Sequence, residues 1–504
     1  MQRAIGARVR AIVQQMLVEA LAIGVTGGVL GFGVANVVLR LLVAYAPPGL
    51  PRLDEVQLAS EPIGVAAAVA LFTVLLFGVG PALVAARGDL GSPLRLASRT
   101  GGETARRRLV RQVLVASQIA LATVMLAGAS LLVRSLARLE GQDMGFVSDH
   151  LSILWYSWNA QRDHSDSTLA SLGDRVVHSI RGIRGVTAAT QLIVPPMLGN
   201  GVWQVRFEAE GQLAEDASKN PMFPTEMCGQ DFFRTLGVPL VRGRTFTDRD
   251  DASSPLVAIV SASVARRLWP NQDPIGKRIR VPGAKPENFI GADGWRTIIG
   301  VARETHLRTL REASPMVFLP SLQGFWQGLI AIRSTAALTA LLPALRAAGL
   351  AVDPDVALWQ SQTMDEILAP SLAQPRLGAL LMSTFGFAAL LLAAIGLFGV
   401  MAALVRDQTR EFGIRMALGA TPQRVRADVL LRAGIIAGIG AAVGLVVAFM
   451  ASRLLTSLLF QVSATDPIAL GLACLVLAGV AAAAAYLPAR WATTIDPVQA
   501  LRAD

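Results

Sequence analysis

An α-helical membrane protein with about six transmembrane helices, arranged as a duplicated unit around a large α+β extracytoplasmic domain, is the fold class this sequence predicts. Three observations lead to it. Only 16% of the 504 residues are charged and the mean hydropathy is +0.50, too apolar for a soluble chain of this length. Six apolar runs, residues 17–45, 63–86, 113–133, 379–404, 433–459 and 468–489, approach or exceed the roughly 20 residues that span a bilayer as helix. Finally, residues 1–35 align without a gap to residues 414–448, with ten identities that include Ala4/Ala417, Gly6/Gly419, Ala7/Ala420, Gly27/Gly440 and Gly31/Gly444. A second block pairs Pro81, Ala82, Ala85, Asp89, Leu94 and Arg95 with Pro488, Ala489, Ala492, Asp496, Leu501 and Arg502. Such self-similarity marks a repeated membrane unit, here interrupted by an insert.

At the start, Arg3, Arg8 and Arg10 precede the first apolar run, and Ala44-Tyr45-Ala46 imitates a signal-peptidase site. The run is far longer than a signal core and prolines follow at once, so it reads as a spanning helix. Arginine placement orients the spans. Arg87, Arg95, Arg99, Arg106, Arg107, Arg108 and Arg111 crowd the second connection, and Arg406, Arg410, Arg415, Arg424 and Arg426 the fourth, whereas residues 46–62 hold only Arg52 and residues 460–467 hold none. The positive-inside rule then places both termini in the cytoplasm and the long insert outside it.

That insert changes character. Strands are expected at 151–157, 186–193, 202–208, 256–260, 278–282, 296–301, 316–319 and 328–333. Helices are expected at 166–181, 229–236, 261–268 and 335–348, the third opened by Ser261 as N-cap. Its chemistry is sparse. His150, His164, His178 and His306 lack ligand spacing to one another or to Cys, and neither G-x-S-x-G nor H-E-x-x-H occurs. Cys228 and Cys474 make neither a disulfide framework nor a zinc site, so both read as packing residues. Trp155, Trp158, Trp203, Trp269, Trp295, Trp326 and Trp359 suit core packing better than an apolar groove. Asn271-Gln272-Asp273-Pro274-Ile275-Gly276-Lys277 ends like a phosphate loop but lacks its first glycine, and Arg278 stands where the magnesium-binding hydroxyl belongs; it reads as a turn. No complete Walker A sequence occurs. The net charge of +10 is almost all arginine flanking apolar segments, Lys219, Lys277 and Lys285 being the only lysines, so nucleic acid is not the expected partner.

Residues 406–432 carry charge without turn signals before Gly419. Glu411 and Arg415 sit at i and i+4 and Phe412 and Met416 share a face, as in an amphipathic helix at the membrane surface. Gly419-Ala420-Thr421-Pro422 breaks it, and Pro422 suits the first turn of the next helix. An interfacial anchor would need only amphipathicity. The recurrence of its ending at Ala4-Ile5-Gly6-Ala7 favours a docking helix.

The sequence Arg410-Glu411-Phe412-Gly413-Ile414-Arg415-Met416-Ala417-Leu418-Gly419-Ala420 resembles the coupling-helix signature of FtsX-like permeases of the MacB type. In the insert, Gln230 to Val238, Arg242-Gly243-Arg244-Thr245-Phe246 and Leu268 to Ile279 resemble the periplasmic core domain of that family. The resemblance implies four domains: 1–112, the remnant of a first FtsX-like unit with a coupling segment and two transmembrane helices; 113–139, the helix opening the second unit; 140–372, the extracytoplasmic core; and 373–504, the permease domain with its coupling helix at 406–420. Residues 1–112 resemble the end of the first unit in tandem acidobacterial-type permeases, and the expectation is an N-terminally truncated form. Also implied is the permease subunit of an ABC transporter in the inner membrane, with no cofactor of its own because a separate cytoplasmic ATPase subunit uses the ATP. The ATPase would drive efflux or extracytoplasmic substrate handling by mechanotransmission. The lipid bilayer, a second permease copy and a periplasmic adaptor complete the implied partners. A rival within the resemblance is a non-transporting scaffold that regulates an extracytoplasmic enzyme. No charge falls within 63–86 or 113–133, which suits a lever better than an ion path, and Gly24, Gly27, Gly28, Gly31 and Gly33, like Gly434, Gly438, Gly440 and Gly444, permit close helix contact.

Overall fold

A computed structural model describes residues 9–44, 64–65, 67–69, 71, 101–158, 166–282, 294–324, 328–456 and 459–493. The chain divides into two compact units, one made of Met1–Leu136 with Gln374–Asp504 and the other of Ala137–Ala373. Two helices open the described chain, α1 (Val9–Ala44) and α2 (Gly101–Glu140).

The inserted unit holds two sheets. Strands β1 (Leu151–Ser157), β2 (Val186–Leu192), β11 (Leu329–Ser334) and β12 (Ala357–Thr363) form an antiparallel sheet in the order β12-β1-β11-β2. Helices α3 (Asp166–Arg181) and α7 (Leu338–Val352) supply Val176, Ile180, Leu341 and Leu345 to a core with Leu154, Ile330 and Ile332. The Tyr156 hydroxyl donates to the Leu345 carbonyl at 2.8 Å, which satisfies it inside that core. A larger mixed sheet contains β3 (Gln204–Arg206), β4 (Glu208–Ala209), β5 (Met222–Cys228), β6 (Leu240–Gly243), β7 (Val257–Ser261), β8 (Arg278–Arg280), β9 (Arg296–Ala302) and β10 (Val317–Pro320). Its path is β3-β5-β10-β7-β9-β8-β4, with β6 on β9. Short helices α4 (Ala214–Ser218), α5 (Phe232–Leu236) and α6 (Ala262–Leu268) connect these strands.

Every expected strand is present, with four differences, the first being the short, largely exposed β6, which was not expected. Residues 202–208 divide into β3 and β4, which pair with different partners, β5 and β8. Strand β5 escaped prediction because Pro224 and Glu226 interrupt its apolar pattern. Pro224 stands opposite Gln204 near the end of the sheet, and Glu226 is fully buried against Arg308 at 2.8 Å. Strand β12 escaped because it is a polar edge whose Trp359 is 63% exposed. Ser261 is indeed the residue before α6, but its side chain makes no cap bond there. Its oxygen accepts from the Met316 N–H at 3.0 Å, and Glu304 takes over the helix start by accepting from the Ser263 N–H and, at 3.0 Å, from the Ser263 hydroxyl. The acidic cap comes from a distant segment, so local sequence could not show it.

Four helices complete the membrane unit: α8 (Met364–Asp407), α9 (Thr409–Ala417), α10 (Pro422–Leu455) and α11 (Pro467–Trp491). Among the described residues five helical segments are long and apolar enough to cross a membrane: Leu21–Leu41, Arg108–Glu140, Met364–Asp407, Pro422–Ala451 and Pro467–Trp491. Of the sixth expected span, 63–86, only residues 64–65, 67–69 and 71 are described, all of them helical, and the rest lies outside the described residues. Val115 and Ile119 of α2, Leu397 and Met401 of α8, Val429 and Ala433 of α10, and Leu477 and Ala485 of α11 share one core. In lipid such a core is held by close packing and by polar links between helices, since lipid tails are as apolar as the side chains. Both occur here. A Cβ on Gly440 would lie 2.7 Å from the Ala116 carbonyl oxygen, and one on Gly444 would lie 2.6 Å from that of Ala120, so α10 touches the α2 backbone itself. Near the end of α2, Ser130 donates to the Ala469 carbonyl at 2.9 Å and Ser135 accepts from the Phe460 N–H at 2.8 Å. Asp466 caps α11 through the Ile468 and Ala469 N–H groups at 3.0 and 3.1 Å and faces Arg134 at 3.4 Å.

Candidate coupling site

The segment from Arg406 to Pro422 folds as an elbow between two membrane helices. Helix α8 ends at Asp407, Gln408 leaves helical geometry, and α9 runs from Thr409 to Ala417. Its end follows from a single glycine. Gly419 takes φ +96°, its N–H bonds the Met416 carbonyl at 3.1 Å, and the Ala420 N–H bonds the Arg415 carbonyl at 3.0 Å. These two bonds make a Schellman stop, which satisfies orphan carbonyls at the helix end. Thr421 then precedes Pro422, the first residue of α10. Gly419→Ala is expected to cost about 1 kcal/mol locally, because an L side chain resists positive φ. Hydrogen exchange should show faster opening of the last turn of α9 while α10 stays protected.

The two faces of α9 differ. Phe412 is 1% exposed and sits in the membrane-unit core with Leu404, Val405, Val425 and Val429, and Met416 packs against the same cluster. The face that the sequence marked as apolar is therefore occupied by this chain's own helices. Outward stand Ile414, 43% exposed, and Leu418, 83% exposed, with Glu411, Arg415 and Ala417 around them. Gly413 is buried and Ala420 half-buried. Arg410 lies within α9, and Ala4, Ile5, Gly6 and Ala7 fall outside the described residues.

The expected Glu411–Arg415 ion pair forms, and Arg415 also reaches Asp428 of α10 at 3.4 Å. A second tie runs from Arg432 of α10 to the Gln408 side chain at 2.7 Å. Gln408, Asp428 and Arg432 were not singled out in the sequence because their partners lie across a turn, beyond any helical spacing. Together with Phe412 these ties bind α9 to the start of α10. Exposed pairs of this kind contribute little energy singly, and here they add direction to what the buried ring supplies.

The histidines and tryptophans of the inserted unit are dispersed. His306 bonds Gln142 at 2.8 Å, Trp269 is buried, and Trp295 lies under Arg278 and Arg280 at 5.6 and 4.7 Å. Cys228 is fully buried, and desolvation raises its thiol well above the ordinary range, as expected of a packing residue. Residues 271–277 form the expected turn, with Gly276 at φ +83°.

Residues 383–497 match the family described as FtsX-like permease C-terminal, and residues 115–348 match the MacB-like periplasmic core domain. The chain belongs to the MacB-type, FtsX-like ABC transporter permeases. Similar curated proteins include the macrolide export ATP-binding/permease protein MacB 2 of Aeromonas hydrophila, 28% identical over 54% of this chain and 42% of the relative. The macrolide export ATP-binding/permease protein MacB of Marinobacter nauticus is 27% identical over 65% of this chain and 48% of the relative. The chain thus spans less than half the length of these relatives. A solved periplasmic region of MacB from Actinobacillus actinomycetemcomitans covers 46% of this chain at 13% identity and a TM-score of 0.30, too loose to carry an argument. As a MacB-type permease, the protein is a multi-pass membrane protein with an α+β extracytoplasmic domain.

Proposed function

We propose that this permease is driven by a separate cytoplasmic ATPase that grips α9, and that the stroke serves export or substrate handling outside the membrane. The carrying observation is the division of labour on α9. Phe412 roots the helix in the membrane unit, while Ile414 and Leu418 present an uncovered apolar edge just before the Schellman stop. An anchor in the lipid surface would not need Arg415 and Gln408 tied to α10. Force applied at Leu418 passes through Phe412 into α10, and from Gly440 and Gly444 into the backbone of α2. No substrate pathway is needed for such a lever, in keeping with the uncharged span 113–133. In this reading both termini and α9 are cytoplasmic, and the names of the relatives, which join ATP-binding and permease functions, support an ATPase partner.

A photo-crosslinking residue at position 418 tests the reading in intact cells. The expected adduct is a nucleotide-binding protein whose ATP turnover rises when the purified permease is added. The same probe at Val446, exposed on a membrane helix, should give no such adduct. Equal labelling from both positions, or adducts at 418 with lipid alone, would contradict it.

A further inference from the structure

We infer that the extracytoplasmic domain holds a binding site for a small soluble oxyanion, of the carboxylate or phosphate type, at the start of α7. The helix-covered face of the smaller sheet leads to it. Side chains alternate along β1, so Ser152 falls on the face that carries Leu154 and Tyr156 against α3 and α7. Across the ladder Ser152 stands opposite Thr363 of β12 and Ile332 of β11. Two residues beyond Ile332 comes Ser334, whose N–H donates to the His150 carbonyl at 3.1 Å. The apolar rows of this face therefore end in hydroxyls.

At that end of the sheet lies a cavity of about 190 Å³, against the roughly 10–15 Å³ that one water needs. Ser148, His150, Ser152, Ser334 and Thr363 line it, and so do Ala336, Ala337 and Leu338, through which the chain enters α7. Two independent observations point to a ligand. Helix α7 runs for 15 residues from an alanine N-cap, with no side chain capping its start and no acidic residue in its first turn. Its leading N–H groups thus have the cavity before them, where the helix dipole favours negative charge. The second observation is Ser152, which is 4% exposed and whose hydroxyl, facing the cavity, bonds to no described group. A buried hydroxyl without a partner is destabilising, so Ser152 asks for an acceptor from the cavity.

The other polar groups of the cavity are answered by the chain itself. Ser334 donates to the Ala336 carbonyl at 2.9 Å. Thr363 and Glu366 close the start of α8 as a capping box: the Glu366 carboxylate accepts from the Thr363 N–H at 2.8 Å, and the Thr363 hydroxyl from the Glu366 N–H at 3.3 Å. Asp365, also on the cavity wall, is exposed and stands in the first turn of α8, whose N-terminus its charge complements. What remains is the start of α7, the Ser152 hydroxyl and the exposed His150 ring, all able to donate, and a set of donors suits an oxyanion. Every lining residue belongs to the unit Ala137–Ala373, not to the membrane unit, which favours a soluble ligand over a lipid headgroup. This inference does not depend on the ATPase reading, since no residue of α9 takes part.

The test follows hydrogen exchange at the start of α7 in the whole chain, held in lipid-free maltoside micelles, as inorganic phosphate or acetate replaces chloride at equal ionic strength. Either anion should slow exchange there saturably. Ser152→Ala, which removes only the hydroxyl, should weaken the affinity at least fivefold. Ala337→Asp sets a carboxylate of the chain's own over the same N–H groups. It should slow exchange with no anion added and abolish the response to phosphate and acetate. No response by the wild type, an equal response to chloride, or unaltered binding by either variant would overturn the inference. So would protection that appears only with phosphatidylglycerol vesicles, since a lipid headgroup would then be the ligand.

Discussion

Replacing Arg308 by alanine is expected to destabilise the extracytoplasmic domain by about 3–5 kcal/mol, the cost of stranding a buried charge. Arg308 and Glu226 are both fully buried. Glu226, on β5 of the larger sheet, accepts from the Ile193 and Val194 N–H groups, which directly follow β2 of the smaller one, at 2.6 and 3.4 Å. Arg308 donates to Glu226 at 2.8 Å, to the Thr225 carbonyl at 3.1 Å and to that of Val194 at 3.3 Å. One ion pair thus ties the two sheets together. Burial pushes the Glu226 carboxyl above the usual carboxylate range while Arg308 pulls it down, so removing Arg308 raises it further. A carboxyl whose folded value is raised is most favourable below its unfolded value and loses stability as pH rises through the folded value. The deficit of Arg308→Ala should accordingly be largest near neutral pH and shrink on acidification. Hydrogen exchange across residues 186–194 and 222–228 of the full-length protein reads both effects. Replacing the pair together, with Glu226→Leu and Arg308→Met, should recover much of the loss.

The second large effect is expected from Gly440→Leu with Gly444→Leu. Each side chain would enter space held by the α2 backbone at Ala116 and Ala120, which has no rotamer by which to yield. Overpacking of this kind costs about 1–3 kcal/mol per site, and here it must separate two helices. ATPase docking at α9 should persist, because Phe412, Arg415 and Gln408 are untouched, while transmission to the extracytoplasmic side fails. A distance measured by spin labels at Thr123 and Val443 should increase in the double variant. An unchanged distance would remove α2 from the proposed path.

The membrane unit was legible because its signals are local or repeated. Apolar length gave α1, α2, α8, α10 and α11, and the repeat pointed to Gly440 and Gly444, where helices do meet. Gly419 and Pro422 announced the elbow, since only particular residues suit those backbone positions. What escaped was set by distant partners. Strand β5 was hidden by a glutamate whose burial is compensated by distant partners, Arg308, 82 residues away, and the Ile193 and Val194 N–H groups. The start of α6 is capped by Glu304, 41 residues from Ser263. On α9 the helical spacing of Phe412 and Met416 found an apolar face but not which part of it the chain itself would cover. Phe412 and Met416 were taken up by α10 and its neighbours, and exposure alone identifies Ile414 and Leu418 as the free edge.

In the proposed function, α9 couples this permease to an ATPase through that edge. The most direct test is ATP turnover by the ATPase with permease reconstituted in lipid nanodiscs, comparing wild type with Ile414→Glu, Leu418→Glu and Glu411→Ala. A carboxylate buried unpaired at the contact costs about 3 kcal/mol, on the order of 100-fold in affinity, whereas loss of the exposed Glu411–Arg415 pair costs a few tenths. Both glutamate variants should remain folded and lose binding and stimulation, and Glu411→Ala should keep them. Folded glutamate variants that bind and stimulate the ATPase as the wild type does would contradict that coupling.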